Sequence, residues 1–445
     1  MNFERILNGL KRILPSPFSI ALILTLVSYF LAVLLLDGES VMSRVAEVSL
    51  YWNKGFWELL AFAMQMMIML VLGHTLAISP AVSKFIDKLI SGINSNSKAV
   101  VVTAVFTMIM AYLNWALALI FGAVIARKIA EKSLQNNFKI NYPLVAAAAY
   151  SGLLVWHGGL SGSAPLKVAE QNHFLYEKIG VIPVEQTIFS TMNIVSAIAI
   201  IAFISLGLYF LSLKTKTHIV DNELVIDESD FFKKSNLRKH FSIDNSALFV
   251  KIVVFFMFVS IVTVITKSKS LNFININFIN FVLFALALLY HKNVKNFLSA
   301  VNKAIVGASG ILIQFPLYAG IMGIMKYSGL SEVFTNFFIE ISNQTTLPVF
   351  TFISAGIVNV FVPSGGGQWA VQGPVIVDAA LKLHVPVNKV IMALAYGDEL
   401  TNMIQPFWAL PLLGITGLKA KDIFPYTLFM MLIGTVVYIS CLLIF

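Results

Sequence analysis

Long apolar segments separated by short polar loops dominate the pattern along this 445-residue chain. A transmembrane helix needs roughly 20 apolar residues, and several of these segments reach that length. The pattern predicts apolar helices at 17–37, 55–78, 99–126, 143–165, 186–213, 246–266, 271–290, 300–325, 346–382, 389–416 and 424–445. The chain is therefore predicted to be an all-α, multi-pass membrane protein.

Composition supports this prediction, because only 12% of the residues are charged and the mean hydropathy is +0.84. Soluble domains carry about 25% charged residues, so a soluble fold is excluded. The formal net charge of +9 arises from basic residues in the loops, where they indicate topology rather than nucleic-acid binding. The single cysteine, Cys441, excludes an internal disulfide and a multi-cysteine metal site.

Residues 1–15 form an amphipathic pattern with apolar positions on one side and basic positions on the other. We expect an interfacial helix there, followed by a first span that is not a cleavable signal. The stretch 214–245 is rich in acidic and basic residues and divides the chain in two. It is predicted to be a cytoplasmic loop.

Two segments are too long for single spans, and a turn interrupts each of them. Asn114-Trp115 interrupts 99–126, and Pro-Ser-Gly-Gly-Gly-Gln at 363–368 interrupts 346–382. Turns at membrane depth are tolerated only where protein or a cavity covers them. We predict two re-entrant helical hairpins, the first opening from the cytoplasm and the second from outside. With a cytoplasmic N-terminus, this topology concentrates lysine and arginine in the cytoplasmic loops, as expected.

Similar elements recur in the two halves of the chain. The matches at one constant offset are Gln65, Ser79 and Phe85 with Gln314, Ser328 and Phe334. Each half is predicted to hold two spans, a surface helix, a hairpin, a broken span (143–165 or 389–416) and a final span. The predicted units are a first repeat at 1–213, the loop 214–245, a linker span at 246–266 and an inverted second repeat at 267–445. Inverted repeats with broken helices are typical of secondary transporters.

The second hairpin tip is the strongest candidate for binding an anion. Three successive glycines leave backbone N–H groups uncovered, and the following half-helix directs its positive end at the tip. A carboxylate is the natural guest; the alternative is a solvated loop. Asn114 at the first tip could contact substrate or a cation, or simply cap a helix.

The first broken span adds Gly158-Gly159 and His157, which could take a proton, bind the anion or only pack. Ser161 and Ser163 would add hydroxyls, and Trp115 and Trp369 an apolar wall. The predicted substrate-binding residues are Asn114, Trp115, His157, Gly158, Gly159, Ser161, Ser163, Ser364, Gly365, Gly366, Gly367, Gln368, Trp369 and Gln372.

The second broken span contains two adjacent carboxylates within an apolar run, which is costly and indicates function. Asp398, Thr401, Asn402 and Gln405 share one helical face by their spacing, and that face could coordinate Na⁺ or relay a proton. The alternative places the acids at the outer interface, near Lys389. The predicted cation-coupling residues are Asp398, Glu399, Thr401, Asn402 and Gln405. We expect no catalytic residue, resident metal or cofactor beyond a coupled Na⁺ or H⁺.

The run Pro-Ser-Gly-Gly-Gly-Gln-Trp at 363–369, with its flanks from Val362 to Pro374, resembles the AtoE-type short-chain fatty acid transporters. The segments 156–166 and 397–411 resemble the same family, and the similarity covers essentially the whole chain. The resemblance implies uptake of short monocarboxylates such as acetoacetate or butyrate. It also implies kinship with the wider ion-transporter superfamily, whose members resemble elevators and are often dimeric, so a homodimer is expected.

The sequence thus favours a cation-coupled carrier of short-chain monocarboxylates in the cytoplasmic (inner) membrane. A carrier of another anion, such as a dicarboxylate, is disfavoured because the first tip has no comparable glycine run. An intramembrane enzyme is disfavoured because metalloprotease, serine-hydrolase and phosphate-loop motifs are absent from the sequence. A channel is a further alternative, but paired hairpins suit alternating access better.

Overall fold

The computed structural model describes residues 17–37, 40–58, 60–171, 173, 175–220, 242–268, 273, 276–361 and 365–445. These residues are almost entirely helical, with one isolated bridge between Ile140 and His218. The predicted interfacial helix at 1–15 and most of the charged stretch 214–245 lie outside the described residues. So does Ser364 at the second hairpin tip.

The helices fall into two series. The first comprises α1 (Pro17–Leu35), α2 (Val41–Glu58), α3 (Leu60–Ala77), α4 (Pro80–Ile90), α5 (Asn96–Leu113), α6 (Trp115–Gln135), α7 (Tyr142–Tyr150), α8 (Ser163–Val168), α9 (Tyr176–Ile179) and α10 (Thr191–Lys214). The second comprises α11 (Ala247–Lys267), α12 (Ile276–His291), α13 (Val294–Tyr327), α14 (Leu330–Glu340), α15 (Leu347–Phe361), α16 (Gly365–Lys382), α17 (Val387–Thr401), α18 (Pro406–Thr416) and α19 (Ala420–Ile444). That the second series repeats the first, with one half inverted, stays a prediction.

Several helices have the length and composition of membrane spans. Within the described ranges, α5, α10, α11 and α19 are long and apolar enough to cross a membrane, and the bent pair α2–α3 adds a fifth candidate. Large apolar side chains on α11, including Leu248 and Phe255, point outward and are exposed. An outward apolar surface of this kind suits contact with lipid, as expected for a multi-pass membrane protein.

The polar segment before residue 55 forms a helix that the apolar pattern missed. Charged and polar residues on α2 interrupt the hydrophobic run, so the sequence predicted a helix only from residue 55. Arg44 donates from Nη1 to Val33 O (3.1 Å) and Leu36 O (3.3 Å), which caps the last carbonyls of α1. On α13, a Cβ added at Gly323 would lie 2.5 Å from Gly55 Cα, so α2 and α13 cross with their backbones almost in contact.

Both segments predicted as hairpins fold as antiparallel helix pairs. In the first, α5 and α6 meet at Asn114 alone, and a Cβ at Gly122 would lie 2.7 Å from Thr107 Oγ1. In the second, Gln372 on α16 donates from Nε2 to Ser354 Oγ on α15 at 3.0 Å. Insertion of the two pairs from opposite sides of a membrane stays a prediction.

Candidate functional site

Both broken spans interrupt their helices within the protein interior. The first passes from α7 into a 3-10 turn at Ser151–Leu154 and resumes as α8 only at Ser163. The second passes from α17 into a 3-10 turn at Asn402–Ile404 and resumes as α18 at Pro406. Gln405 has extended backbone because the following proline disfavours the helical conformation there. The predicted helical face therefore does not extend to Gln405.

The two breaks hold each other in place. Tyr150, at the end of α7, donates from its hydroxyl to Asn402 O (2.9 Å) and Gln405 O (3.1 Å). In the other direction, the backbone N–H of His157 in the first break donates to Glu399 Oε2 on α17 at 2.7 Å. Backbone groups that the breaks release are thus satisfied across the two halves of the chain.

His157 and Asp398 form the closest side-chain pair of the site. Their Nδ1 and Oδ2 atoms lie 2.6 Å apart, and the side chains are 0% and 1% exposed. The backbone N–H of Ala164 donates to His157 Nε2 at 3.1 Å, so Nε2 is an acceptor and the ring hydrogen lies on Nδ1. His157 therefore donates from Nδ1 to Asp398 in this conformation, and binding of the anion by a charged imidazole stays a prediction.

The acidic pair is buried within the protein, and its position away from the outer interface of the membrane stays a prediction. Asp398 is 1% exposed and Glu399 is 0% exposed. No lysine or arginine of the described ranges pairs with either carboxyl group. Buried carboxyl groups without a cationic partner are costly and indicate function.

Asn359, on α15 near the second hairpin tip, is a site residue that the sequence analysis missed. Its Nδ2 lies 2.7 Å from Asp398 O, 2.9 Å from Thr401 Oγ1 and 3.0 Å from Asn402 Oδ1. Gln405 donates from Nε2 to Asn359 O. These hydrogen bonds hold the second hairpin against the second break. The available signal was a lone asparagine within an apolar run.

Four buried side-chain oxygens on the second hairpin and the second broken span have no donor among the described residues. They are Asp398 Oδ1, Asn359 Oδ1, Gln405 Oε1 and Gln368 Oε1. A buried acceptor without a donor costs about 1–3 kcal/mol. Unused lone pairs on several neighbouring elements make this region attractive to a proton or a small cation.

The second hairpin tip lies directly on the first break rather than in solvent. Gly365–Gly367 form the first turn of α16, so their N–H groups lie at the N-terminal end of that helix. A Cβ at Gly365 would lie 2.5 Å from His157 Cε1, whereas one at Gly366 would lie 3.8 Å from Ser163 Cβ. The solvated-loop alternative is therefore excluded for Gly365, which is buried.

Gln368 was predicted to bind substrate, but its amide hydrogens are engaged in this conformation. Its Nε2 donates to Ala355 O and to Gln372 Oε1, both at 2.8 Å. The bond to Ala355 O holds α16 against α15, and the remaining polar atom of Gln368, its Oε1, is an acceptor. Donation to substrate stays a prediction and requires a change in these two bonds.

The first hairpin tip also rests on the first break. Asn114 accepts through Oδ1 from Leu117 N (2.9 Å), so its side chain caps α6, as the simpler alternative held. The backbone N–H of Trp115 donates to Ser161 Oγ (3.0 Å), and Leu160 N donates to Tyr112 O (2.8 Å). Both tips therefore converge on residues 156–163.

Aromatic packing differs from the predicted wall of Trp115 and Trp369. The Trp115 ring lies 6.1 Å from the ring of Trp156 and 5.0 Å from that of Trp408, measured between centroids. Trp369 instead packs in a separate apolar cluster with residues such as Ala164 and Val377. The local sequence pattern could not predict this cluster, because its three tryptophans come from the first hairpin tip, the first break and α18.

Gly158 and Gly159 allow close backbone approach. A Cβ at Gly158 would lie 2.5 Å from Asn193 Oδ1, and one at Gly159 would lie 2.3 Å from Tyr112 O. Asn193 on α10, a second missed residue, donates to Gly158 O at 2.7 Å and fixes the break. Contact between these glycines and substrate stays a prediction.

Comparison with known proteins agrees with this architecture. The family model described as short chain fatty acid transporter matches residues 4–445. A protein of Escherichia coli (strain K12) named for short-chain fatty acid transport is 35% identical over 98% of this chain and 97% of its own length. A Haemophilus influenzae protein with the same name is 32% identical over 93% and 92%.

Two solved transporters share the fold. Neisseria gonorrhoeae MtrF, reported within a class of antimetabolite efflux pumps, superposes with a TM-score of 0.50 at 14% identity over 98% of this chain and 97% of its own. Alcanivorax borkumensis YdaH gives 0.51 at 13% identity over 96% and 98%. The family and the relatives named above are transporters, not enzymes. The chain belongs to the short-chain fatty acid transporter family.

Proposed function

We propose that this protein takes up short-chain monocarboxylates such as butyrate or acetoacetate across the cytoplasmic membrane, coupled to inward movement of H⁺ or Na⁺. One observation carries the proposal: both hairpin tips meet the first break, where His157 contacts the buried acids of the second break. Membership of the short-chain fatty acid transporter family supports the substrate class.

The substrate carboxylate has a favourable partner in the N-terminal turn of α16. The N–H groups of Gly365 and Gly366, at the N-terminal and positive end of the helix, attract an anion. The cluster of Trp115, Trp156 and Trp408 supplies apolar contact for a short hydrocarbon tail. A bare carboxylate with a small apolar end matches both features.

Cation coupling has a physical motive. Moving one anion into a negative-inside cell costs about 2.3 kcal/mol per 100 mV, and one co-transported cation cancels that cost. The buried carboxyl groups and the unused oxygens around Asn359 provide negative charge and lone pairs for such a cation. In the proposed cycle, hairpins and broken spans move together against the remaining helices, as in elevator carriers, within a homodimer.

A gradient assay in proteoliposomes tests this function. Labelled butyrate should accumulate, saturably, only when an inward H⁺ or Na⁺ gradient is imposed, because the anion alone moves against the membrane potential. Acetoacetate should compete and succinate should not. Non-saturating flux without a gradient would indicate a channel, and equal competition by succinate would indicate a dicarboxylate carrier.

Replacing Trp408 by alanine should shift preference toward longer acids. The substitution removes an edge-to-face partner of Trp115 and leaves room beside the first tip. We expect the ratio of hexanoate to butyrate uptake to rise several-fold, on the order of the effect of one methylene in an apolar pocket. Trp57→Ala, at an exposed position on α2, is the matched control. An unchanged ratio would remove Trp408 from the pocket.

A further inference from the structure

Three neighbouring oxygens beside the site, from Leu154, Tyr438 and Glu399, make two contacts but share one hydrogen if Glu399 is ionised. The hydroxyl of Tyr438 on α19 lies within hydrogen-bond distance of Leu154 O, in the first break, and 2.7 Å from Glu399 Oε1. A tyrosine hydroxyl carries one hydrogen, whereas a carbonyl and an ionised carboxylate carry none. Tyr438 can satisfy either neighbour but not both.

Of these three oxygens, the one that can gain the missing hydrogen is Oε1 of Glu399. If Glu399 were ionised, one of the two contacts would place lone pairs against each other. If Glu399 is protonated at Oε1, it donates to Tyr438, and Tyr438 donates to Leu154 O. The second oxygen, Oε2, accepts the backbone N–H of His157, and Gly158 gives the carboxyl group a second backbone hydrogen bond; the carbonyl oxygen of a neutral acid has two lone pairs for such donors. Every contact is then satisfied.

We propose that Glu399 is protonated in this conformation and that its proton is the one co-transported with substrate. The inference rests on the proposed cation-coupled uptake and names the coupled ion and its carrier. Asp398 differs from its neighbour, because its Oδ2 receives the hydrogen of neutral His157. The two adjacent carboxyl groups thus have unlike environments, an arrangement that can separate their protonation states.

Among the described residues, the groups that face Glu399 include no lysine or arginine. The titratable ones are His157 from the first break, Asp398 and Tyr396 from its own helix, and Tyr438 from α19. Tyr396 stacks on Tyr438 with ring centroids 4.4 Å apart. With His157 neutral, an ionised Glu399 would add a second buried negative charge beside Asp398.

Release of the proton would break one hydrogen bond between α19 and the first break. When the site opens to water, the Oε1–H bond breaks and the proton passes to a water molecule. The Tyr438 hydrogen then rotates from Leu154 O to the new carboxylate. Leu154 O loses its donor, so α19 no longer holds the first break. Protonation and the position of that break are thereby linked.

Infrared difference spectroscopy of the purified full-length protein tests the protonation state directly. The spectrum of wild type minus Glu399→Gln should contain the carbonyl band of a protonated carboxylic acid. Tyr438→Phe should move that band to higher frequency, because the acid hydroxyl loses its acceptor. Glu332→Gln, an exposed position on α14, should leave it unchanged. Absence of the band in the difference spectrum, or its indifference to Tyr438→Phe, would overturn the assignment.

Transport assays test the coupling role. Glutamine mimics the protonated acid, so Glu399→Gln should still exchange labelled for unlabelled butyrate. Net uptake driven by a pH gradient should fall to the rate of protein-free vesicles, because the empty carrier cannot release its proton. Wild-type net uptake in this variant would overturn the inference. Wild-type uptake driven by Na⁺ alone would overturn it too but leave cation-coupled uptake standing. If wild type moved no butyrate, the proposed function would fail while the infrared result still decided the protonation state.

Discussion

Asp398→Asn should reduce butyrate uptake to less than about a tenth of the wild-type rate. The substitution removes the charge that receives the Nδ1 hydrogen of His157, and hydrogen bonds to charged groups are worth about 1.5–3 kcal/mol. Since about 1.4 kcal/mol corresponds to a factor of ten, the loss should be clear. Initial rates in proteoliposomes under an imposed H⁺ or Na⁺ gradient measure it.

The matched control is Asp378→Asn. Asp378 pairs with Lys178 at 2.7 Å, but both side chains are about half exposed. Exposed ion pairs contribute about 0–1 kcal/mol, so this variant should retain most of its uptake. Equal losses in the two variants would indicate a general effect of lost acidic charge, and wild-type uptake by Asp398→Asn would remove Asp398 from the mechanism.

Gly365→Ala should impair transport nearly as strongly. The added methyl group would lie 2.5 Å from His157 Cε1, and the ring cannot retreat easily because Asp398 and Ala164 hold its two nitrogens. Overpacking of this kind costs about 1–3 kcal/mol, so the conformation with the hairpin tip on the first break should become on the order of tenfold to a hundredfold rarer. Uptake rates and accessibility of a cysteine placed near the tip measure the shift.

Gly366→Ala separates steric exclusion from loss of glycine flexibility. Its methyl group would meet Ser163 Cβ at 3.8 Å, an ordinary contact, while changing the backbone by the same Gly-to-Ala step. Its uptake should therefore fall much less than that of Gly365→Ala. If the two variants lost activity equally, flexibility of the tip, not contact with His157, would explain the effect.

Local sequence pattern was sufficient for the elements that surround the site. The polar pair at Asn114 and the run at 363–368 marked where the two helices of each antiparallel pair are separated, because such residues interrupt apolar helices. Glycines and a proline marked both breaks in the same way. The pattern missed the start of α2, where charged residues on an amphipathic helix looked like a loop.

The partners within the site could not be predicted from local pattern. His157 and Asp398 are separated by 241 residues, and Leu154 and Tyr438 by 284. Nothing in the spacing of either residue indicates its partner. Asn359 and Trp408 were visible as unusual residues in apolar segments, but only the packing of α15 and α18 shows what they contact. Trp369 is the opposite case. Its neighbours along the chain suggested that it would form an apolar wall with Trp115, but the two side chains pack in different apolar clusters.

The mutual bonds between the two breaks have a consequence for the fidelity of transport. Tyr150 holds the second break and Glu399 holds the first, so neither can rearrange while the other keeps its geometry. The proposed coupled ion, bound near one break, could then cross the membrane only if the substrate site at the other break rearranged with it. Slippage, in which the driving gradient dissipates without moving substrate, would be suppressed by the same few bonds that stabilise the unwound backbone.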